Sequence, residues 1–433
     1  MASLAVVFII LGCVAYQYLK GTIVRAFATI IVAICASAVA FSYFEVLANV
    51  FISRGDNSRF LSIVPWAQPL CFGLLFIVTF AILQVPATQL TRQPIDLGVL
   101  PERIGRVVCG IFLGLITSGL LLTALEMGPL PITYPYQRFD PTKLEPENPD
   151  KVLLNADGLA TGLFSIISNG SFSGKRSFAT LHPDYLDQLF LNRLISDISI
   201  ISSSYPAIEV PKVAVWPASD AIKKQVDNFV SELNRRGKLV DEPTGKSVPM
   251  PGWLKSGFDP TIVRVGIRKS ALKTSAAISA GTFTHPQLRL ICKRKGYGED
   301  QLTGKGRNVY PIGHLRAEDE VQVSPGIKME RDDFERDASK KWIDFVFCVP
   351  NGFVPVLVEF KLNSIAEIPR SAIVAADQAP PAAPFIQSSK TQKDTKKRDE
   401  PSRPPKESGT APNRRGLSNL SKSVTGFDLD EDQ

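Results

Sequence analysis

The sequence predicts a membrane protein in two parts. An all-α membrane domain of four transmembrane helices comes first. A mixed α/β-rich region follows, with a small antiparallel β-sandwich and a disordered tail. Three observations predict this. Long uncharged runs crowd into the first third of the 433-residue chain. Apolar residues alternate with a period of two from about Thr261. Beyond Pro369 the chain is rich in Pro, Lys and Ser and poor in core-forming side chains. The expected organisation is a four-helix membrane domain over 1–128, a linker over 129–150, a helical connector over 151–250, an extracytoplasmic β-sandwich over 251–370 and a tail over 371–433.

The membrane helices follow from charge-free length. Residues 2–19, 26–44, 60–91 and 107–125 carry no charged side chain. About 20 apolar residues of helix cross a bilayer core, so four spans are expected near 2–19, 25–45, 68–87 and 106–126. Soluble-core helices usually keep a polar stripe, and these runs show almost none. Pro65 and Pro69 predict a bent entry to the third helix. Trp66 falls where rings favour the headgroup level. "ASA" at 36–38 resembles a cleavage site, but two membrane-length runs precede any soluble region, so an uncleaved protein is expected.

The cations inside this apolar stretch set the topology. A cation at the bilayer centre costs roughly 3 kcal/mol on insertion scales. Lys20 and Arg25 therefore mark an exit, with Gly21 in a tight turn between the first two helices. Arg92, Arg103 and Arg106 fall in the loop between helices three and four, on the same side. The opposite loop holds Arg54 and Arg59 beside Asp56. Cationic loops stay cytoplasmic. Both termini, and everything after Glu126, are then expected outside the cytoplasmic membrane.

Residues 1 to about 130 resemble the colicin V production protein family of bacterial inner-membrane proteins. The matching features are a first helix ending in a basic turn (Lys20, Gly21, Arg25), a helical pair around a short outer loop, and "ERIGRVVCGIFLG" entering helix four. In that segment Arg103, Gly110 and Gly114 fall at the family's spacing. Arg106 stands where the family often has a glycine, with Gly105 one position earlier. The resemblance covers under a third of the chain. It implies a place in the bacterial inner membrane and a part in toxin production, secretion or envelope maintenance. It brings no agreed catalytic residues.

Gly110, Gly114 and Ser118 form a small-residue stripe on one face of helix four. Such stripes let helix backbones approach closely in lipid, either within one molecule or between copies in a homo-oligomer. An ion-coupled transporter normally carries ionisable groups at mid-membrane. None is present, since Glu45 and Glu126 lie at the ends of the expected spans.

After the membrane, "GPLPITYPYQRFDPTKLEPENP" reads as an extended linker. Two short amphipathic helices follow, around 154–174 and 182–196. They can lie on the membrane surface or pack on the next domain, and packing is favoured. A further helix is expected from Asp220 to Arg236. Strands are expected near 261–268, 286–293, 308–315, 342–349 and 354–362. Asn351-Gly352 accepts positive φ and predicts a tight hairpin. The resulting antiparallel sandwich has a loose immunoglobulin-like look, which says little about function.

The chemistry-bearing residues are sparse. His182, His285 and His314 are the three histidines, and none has a second ligand at metal spacing. No phosphate loop or nucleophile elbow appears. The expectation is a non-enzyme with no catalytic residue, no cofactor and no metal. Cys13, Cys35, Cys71 and Cys109 fall in the membrane helices. Cys292 and Cys348 fall in the outer domain, as a disulfide or as two buried thiols. The net charge is +7, and "KTQKDTKKR" over 390–398 adds a basic cluster near the end. The expected partners are the lipid bilayer and envelope-protein or cell-wall components, with no nucleic acid. The leading expectation is a scaffold or accessory protein. A subunit of a transport or channel assembly and an anchored extracytoplasmic enzyme or sensor are the alternatives.

Overall fold

The computed structural model describes residues 2–20, 22–54, 66–91, 98–139, 149–170, 177–195, 207–236, 239–240, 247–248, 257–269, 280–284, 288–296, 302–323, 326–330, 333–335, 337–360 and 364–386. Four apolar helices open it: α1 (Ala2–Lys20), α2 (Ile23–Arg54), α3 (Ala67–Leu90) and α4 (Val99–Glu126). Each is long and apolar enough to cross a membrane. The chain is thus a multi-pass membrane protein. Outward-facing Phe8, Leu11, Ile77 and Ile82 are exposed for lipid to cover.

Close backbone approach joins α1 to α4. A Cβ built on Gly110 would lie 2.6 Å from the Cα of Val14, and one on Gly114 would lie 2.6 Å from the Cα of Ile10. Ser118 is buried, and its hydroxyl donates to the Leu115 carbonyl at 3.1 Å. α4 also presses on the connector, because a Cβ on Gly119 would meet the Ala156 carbonyl oxygen at 2.1 Å.

Two helix boundaries differ from expectation. α2 continues through Glu45 to Arg54, so Glu45 lies inside the helix. α4 begins at Val99, which places Arg103 and Arg106 in the helix rather than in a loop. Gly98, at φ +85°, breaks the preceding chain, and Pro101 is tolerated because a first-turn N–H has no intrahelical partner. Arg106 pairs with Glu102 and donates to the Tyr18 carbonyl at 3.4 Å. Thr22 accepts the Arg25 N–H at 3.3 Å at the start of α2. Lys20 closes α1, while Gly21 and Arg92 lie outside the described residues.

Three connector helices follow: α5 (Ala156–Asn169), α6 (Phe178–Leu181) and α7 (Tyr185–Ile195). They pack on the upper ends of α2 and α4 through aromatic rings. Phe41 stacks on Phe164 and meets Phe178 edge-on, each at 4.9 Å between ring centroids. The linker is not a free tether where it is described. Phe139 is buried against Phe190 at 5.2 Å.

The remaining elements are β1 (Ile208–Glu209), β2 (Val215–Pro217), α8 (Asp220–Arg236), β3 (Leu239–Val240), β4 (Ser247–Val248), β5 (Phe258–Arg268), β6 (Ala280–Thr284), β7 (Leu288–Lys295), β8 (Leu302–Val309), β9 (Pro311–Ala317), β10 (Glu320–Gln322), β11 (Gly326–Glu330), β12 (Lys340–Pro350), β13 (Phe353–Phe360) and β14 (Ser364–Glu367). One antiparallel sheet runs β1-β5-β12-β9-β10, with β2 also on β5. The other runs β14-β13-β7-β8. Val263, Val265, Ile343 and Phe345 of the first share a core with Leu290 and Val358 of the second. Ile222, Val226 and Val230 of α8 join that core, at the helical spacing the sequence showed.

Four details change the expected β-region. It begins at Ile208, not near 251, because β1 and β2 pair with β5. The strand expected at 308–315 is two strands in different sheets, separated at Tyr310. Asn351-Gly352 is a turn with Gly352 at φ +81°, but not a hairpin. Both edges of β12 are already taken by β5 and β9, so β13 crosses to the other sheet.

The last change concerns residues 371–386, which are packed rather than part of a tail. Proline-rich chain offers few N–H groups, and those present find acceptors. Val374 donates to the Val215 carbonyl, Ala383 to Asp344 Oδ2 and Phe385 to the Leu315 carbonyl, at 2.9, 2.7 and 2.9 Å. The Phe385 ring is buried. The rest of the expected tail, 387–433, lies outside the described residues, as does His285.

Cys292 and Cys348 are free, buried thiols on β7 and β12, strands of different sheets. Burial pushes both thiols above their usual range.

Candidate functional site

The membrane helices and the β-domain meet at a buried chain of polar side chains. Arg289 on β7 stands directly opposite Glu359 on β13 in the strand register. The two form a salt bridge, 3% and 0% exposed. Arg289 also donates to Asn308 Oδ1 of β8 at 2.6 Å. Its Nη2 lies 3.2 Å from Nδ1 of His182, the residue that ends α6. The other ring nitrogen of His182 lies 2.7 Å from Glu45 Oε1 on α2. One continuous path thus runs from a membrane helix to the middle of a β-sheet.

Local sequence explains each position. Glu45 reaches this level because α2 outlasts the bilayer. At about 1.5 Å per residue from Arg25, Glu45 lies roughly 30 Å along the axis, the thickness of the hydrocarbon core. His182 is held by rings, with Phe178 at 5.2 Å and Tyr185 at 4.7 Å between centroids. Apolar contact between Ile291, Leu357 and Leu181 seats the sheet on α6 beside the path. Gly306 of β8 comes so close to α6 that a Cβ there would lie 2.0 Å from the Thr180 carbonyl oxygen.

With the imidazole proton on Nε2, the His182 ring donates to Glu45 and accepts from Arg289, so every link joins a donor to an acceptor. Nδ1 also lies 3.0 Å from Gln188 Oε1 on α7. Burial pushes the Glu359 carboxyl above the usual carboxylate range, and Arg289 beside it pulls back down. Tyr185, buried next to the path, is raised well above the ordinary phenol range by burial and by Glu45 and Glu359. Glu359 Oε1, Arg289 Nε and Gln188 Nε2 are buried with no hydrogen-bond partner among the described residues.

A second buried cluster sits at the end of α4. Tyr136 donates to Asp157, and Arg138 holds Asp187 at 2.6 Å and the Tyr136 hydroxyl at 3.2 Å. Arg193 donates to the Tyr134 carbonyl at 2.8 Å. These bonds tie the linker and α7 to α5 beneath the joint. Burial and the nearby Glu126 and Asp157 carboxylates raise the Tyr136 hydroxyl above its usual range. Among the described residues, no group of three or more His, Cys, Asp or Glu could hold a metal ion.

The residues singled out from sequence lie elsewhere. Gly110, Gly114 and Ser118 sit in or beside the α1–α4 contact. Arg25, Arg103 and Arg106 lie at the far ends of α2 and α4. Cys292 lies three residues along β7 from Arg289. Sequence reasoning left Arg289 unremarked, read Glu359 only as a polar position alternating along the strand at 354–362, and treated Glu45 and His182 singly. One signal was present. Arg289 and Ile291 share a strand face, and an isoleucine on a supposedly solvated face means that the face is covered.

No family model matches the chain, and neither a curated protein nor a solved structure matches it.

Proposed function

We propose that the protein is a scaffold or accessory of the bacterial inner membrane, acting in toxin production, secretion or envelope maintenance. Its β-domain binds envelope-protein or cell-wall partners on the extracytoplasmic side. The observation that carries this reading is the joint. The β-domain is fixed to α2 through Glu45, His182, Arg289 and Glu359, all buried or half-buried, and to α6 through Leu181 and Gly306. A domain seated this way presents its free surfaces at a constant height above the bilayer, as a scaffold requires. The cations at neighbouring helix ends, Lys20 of α1, Arg25 of α2 and Arg103 of α4, support the orientation, and the resemblance of residues 1 to about 130 supports the physiological setting.

Photo-crosslinking in native membranes tests the reading, with probes on the exposed strand ends of the β-domain and mass spectrometry to identify what is captured. Reproducible capture of the same envelope components is expected. A protein that stays uncrosslinked, or that captures only cytosolic proteins, contradicts it.

A further inference from the structure

The polarity of α5 is reversed for a helix in water. Apart from the terminal Asn169, its polar side chains are Asp157, Thr161, Ser165 and Ser168, and all four are buried. They are turned toward protein. Asp157 accepts from Tyr136 and from the Gly158 N–H, Thr161 donates to the Asp157 carbonyl at 2.9 Å, and Ser168 accepts the Ala179 N–H of α6 at 2.9 Å. Leu159, Leu163 and Ile166, spaced by four and then three residues, share the outward face. Leu159 and Ile166 are exposed, Ile166 to 69%, and Leu163 is half-buried. Leu154, in the turn leading into α5, is exposed as well. From Val152 to Gly170 the one charged residue is Asp157. A surface helix in water turns its polar side outward and its apolar stripe inward.

The level of α5 accounts for this reversal. Ala160 and Phe164 pack in one core with Phe41 of α2 and Ile116 and Leu120 of α4. Phe41 lies about 24 Å along α2 from Arg25, within the roughly 30 Å of the hydrocarbon core. Ile116 and Leu120 stop about 15 and 9 Å short of Glu126 along α4. Both helices thus place α5 below the headgroups. A crevice of about 230 Å³ opens between the three helices, lined by Ile34 and Ser37 of α2, Ile116 and Leu120 of α4, and Leu163 and Ile167 of α5. Ser37 donates to the Ala33 carbonyl at 2.6 Å, so its hydroxyl is already committed. Ile34 shares a face of α2 with Phe27 and Ile31, both exposed. The crevice therefore continues the side of α2 that lipid covers.

We propose that α5 is a membrane helix that does not span, immersed in the leaflet nearer the β-domain, and that lipid acyl chains cover its outward face and fill the crevice beneath it. Hydrocarbon is the solvent at this depth, and it matches the apolar lining. The inference holds whichever side of the membrane the β-domain occupies and does not rest on the scaffold role.

The test uses the wild-type full chain in lipid nanodiscs made with a phosphatidylcholine that carries a photoactivatable diazirine midway along one acyl chain. Mass spectrometry maps the adducts after illumination. Ile77 of α3, which faces lipid, is the positive control, and exposed Lys224 of α8 is the negative one. Adducts are expected on Leu159 and Ile166, at a yield comparable with Ile77, and on Ile34 and Ile116 inside the crevice. Leu163→Trp, which fills the mouth of the crevice, should lose the Ile34 and Ile116 adducts and keep those on Ile77 and Ile166. Labelling of Ile77 with none on α5 overturns the proposal, because water or protein would then cover the helix. Adducts on Ile166 with none on Ile34 or Ile116 overturn the filling of the crevice, as does their survival in Leu163→Trp.

Discussion

Among the described residues of the β-domain, two arginine–carboxylate pairs with a fully buried acid, one in each sheet, are built differently. Arg264 and Asp344 meet through two parallel bonds of 2.6 and 2.8 Å. Asp344 also accepts from Ala383, Arg264 also donates to the Pro381 carbonyl, and the guanidinium lies 5.2 Å from the Trp216 ring centroid. That pair is closed on itself and clamps residues 381–383. Arg289 Nε and Glu359 Oε1 have no hydrogen-bond partner among the described residues, and the guanidinium extends to Asn308 and His182. The closed pair belongs to the architecture of one domain. The open pair links the β-domain to the helices through His182 and Glu45.

The comparison can be broken most sharply at the closed pair. Asp344→Asn keeps the shape and removes the charge, leaving Arg264 with no way to neutralise itself. Breaking a buried pair in this way costs about 3–5 kcal/mol. Thermal unfolding of the full chain in micelles at pH 7 should show the loss.

The strap that the closed pair clamps carries its own pH dependence. His314 is buried against Phe385, and burial lowers its pKa from 6.5 to about 4. Between those values the unfolded chain takes up a proton that the folded protein refuses, so stability falls as pH drops through that window. The cost approaches about 3 kcal/mol near pH 4. His314→Phe should flatten that acid limb, read as melting temperature against pH. An unchanged slope would mean that another group carries it.

The open pair should give the smallest effect and the opposite dependence on pH. Arg289→Met strands Glu359, but a carboxylate can accept a proton. A carboxyl raised in the folded state stabilises the protein below its unfolded pKa and loses that contribution as pH rises through the folded one. Removing Arg289 raises Glu359 further, so the variant should be destabilised by about 2 kcal/mol at pH 8 and recover as pH falls toward 5. A loss equal to that of Asp344→Asn and independent of pH would erase the distinction between the pairs.

The sequence made some of this legible and hid the rest for physical reasons. The four spans are readable because each apolar run exceeds what a soluble helix needs. α8 is readable from Ile222, Val226 and Val230, and β5 from Val263, Val265 and Ile267 alternating with arginines. The sheet assignment at Asn351-Gly352 is not readable, because the turn residues are the same whether the next strand pairs with the last or leaves it. The packed strap is hidden by composition, since its prolines resemble a tail and only Phe385 and Ile373 mark it as anchored. The joint is hidden most deeply. Glu45 and His182 are 137 residues apart, His182 and Arg289 are 107 apart, and Arg289 and Glu359 are 70 apart. Each looks ordinary in its own neighbourhood, and only the second, covered face of β7 brings them together.

The central claim is that the β-domain is seated on the membrane helices by this joint. Spin labels carried by unnatural amino acids at Tyr43 of α2 and Lys224 of α8, both exposed, would measure the separation by pulsed electron resonance in lipid nanodiscs. A single narrow distance distribution is predicted for the wild type, broadening in Glu45→Gln/Arg289→Met. A wild-type distribution already spread over tens of ångströms would contradict the account, because the β-domain would then hang from the membrane on a loose tether.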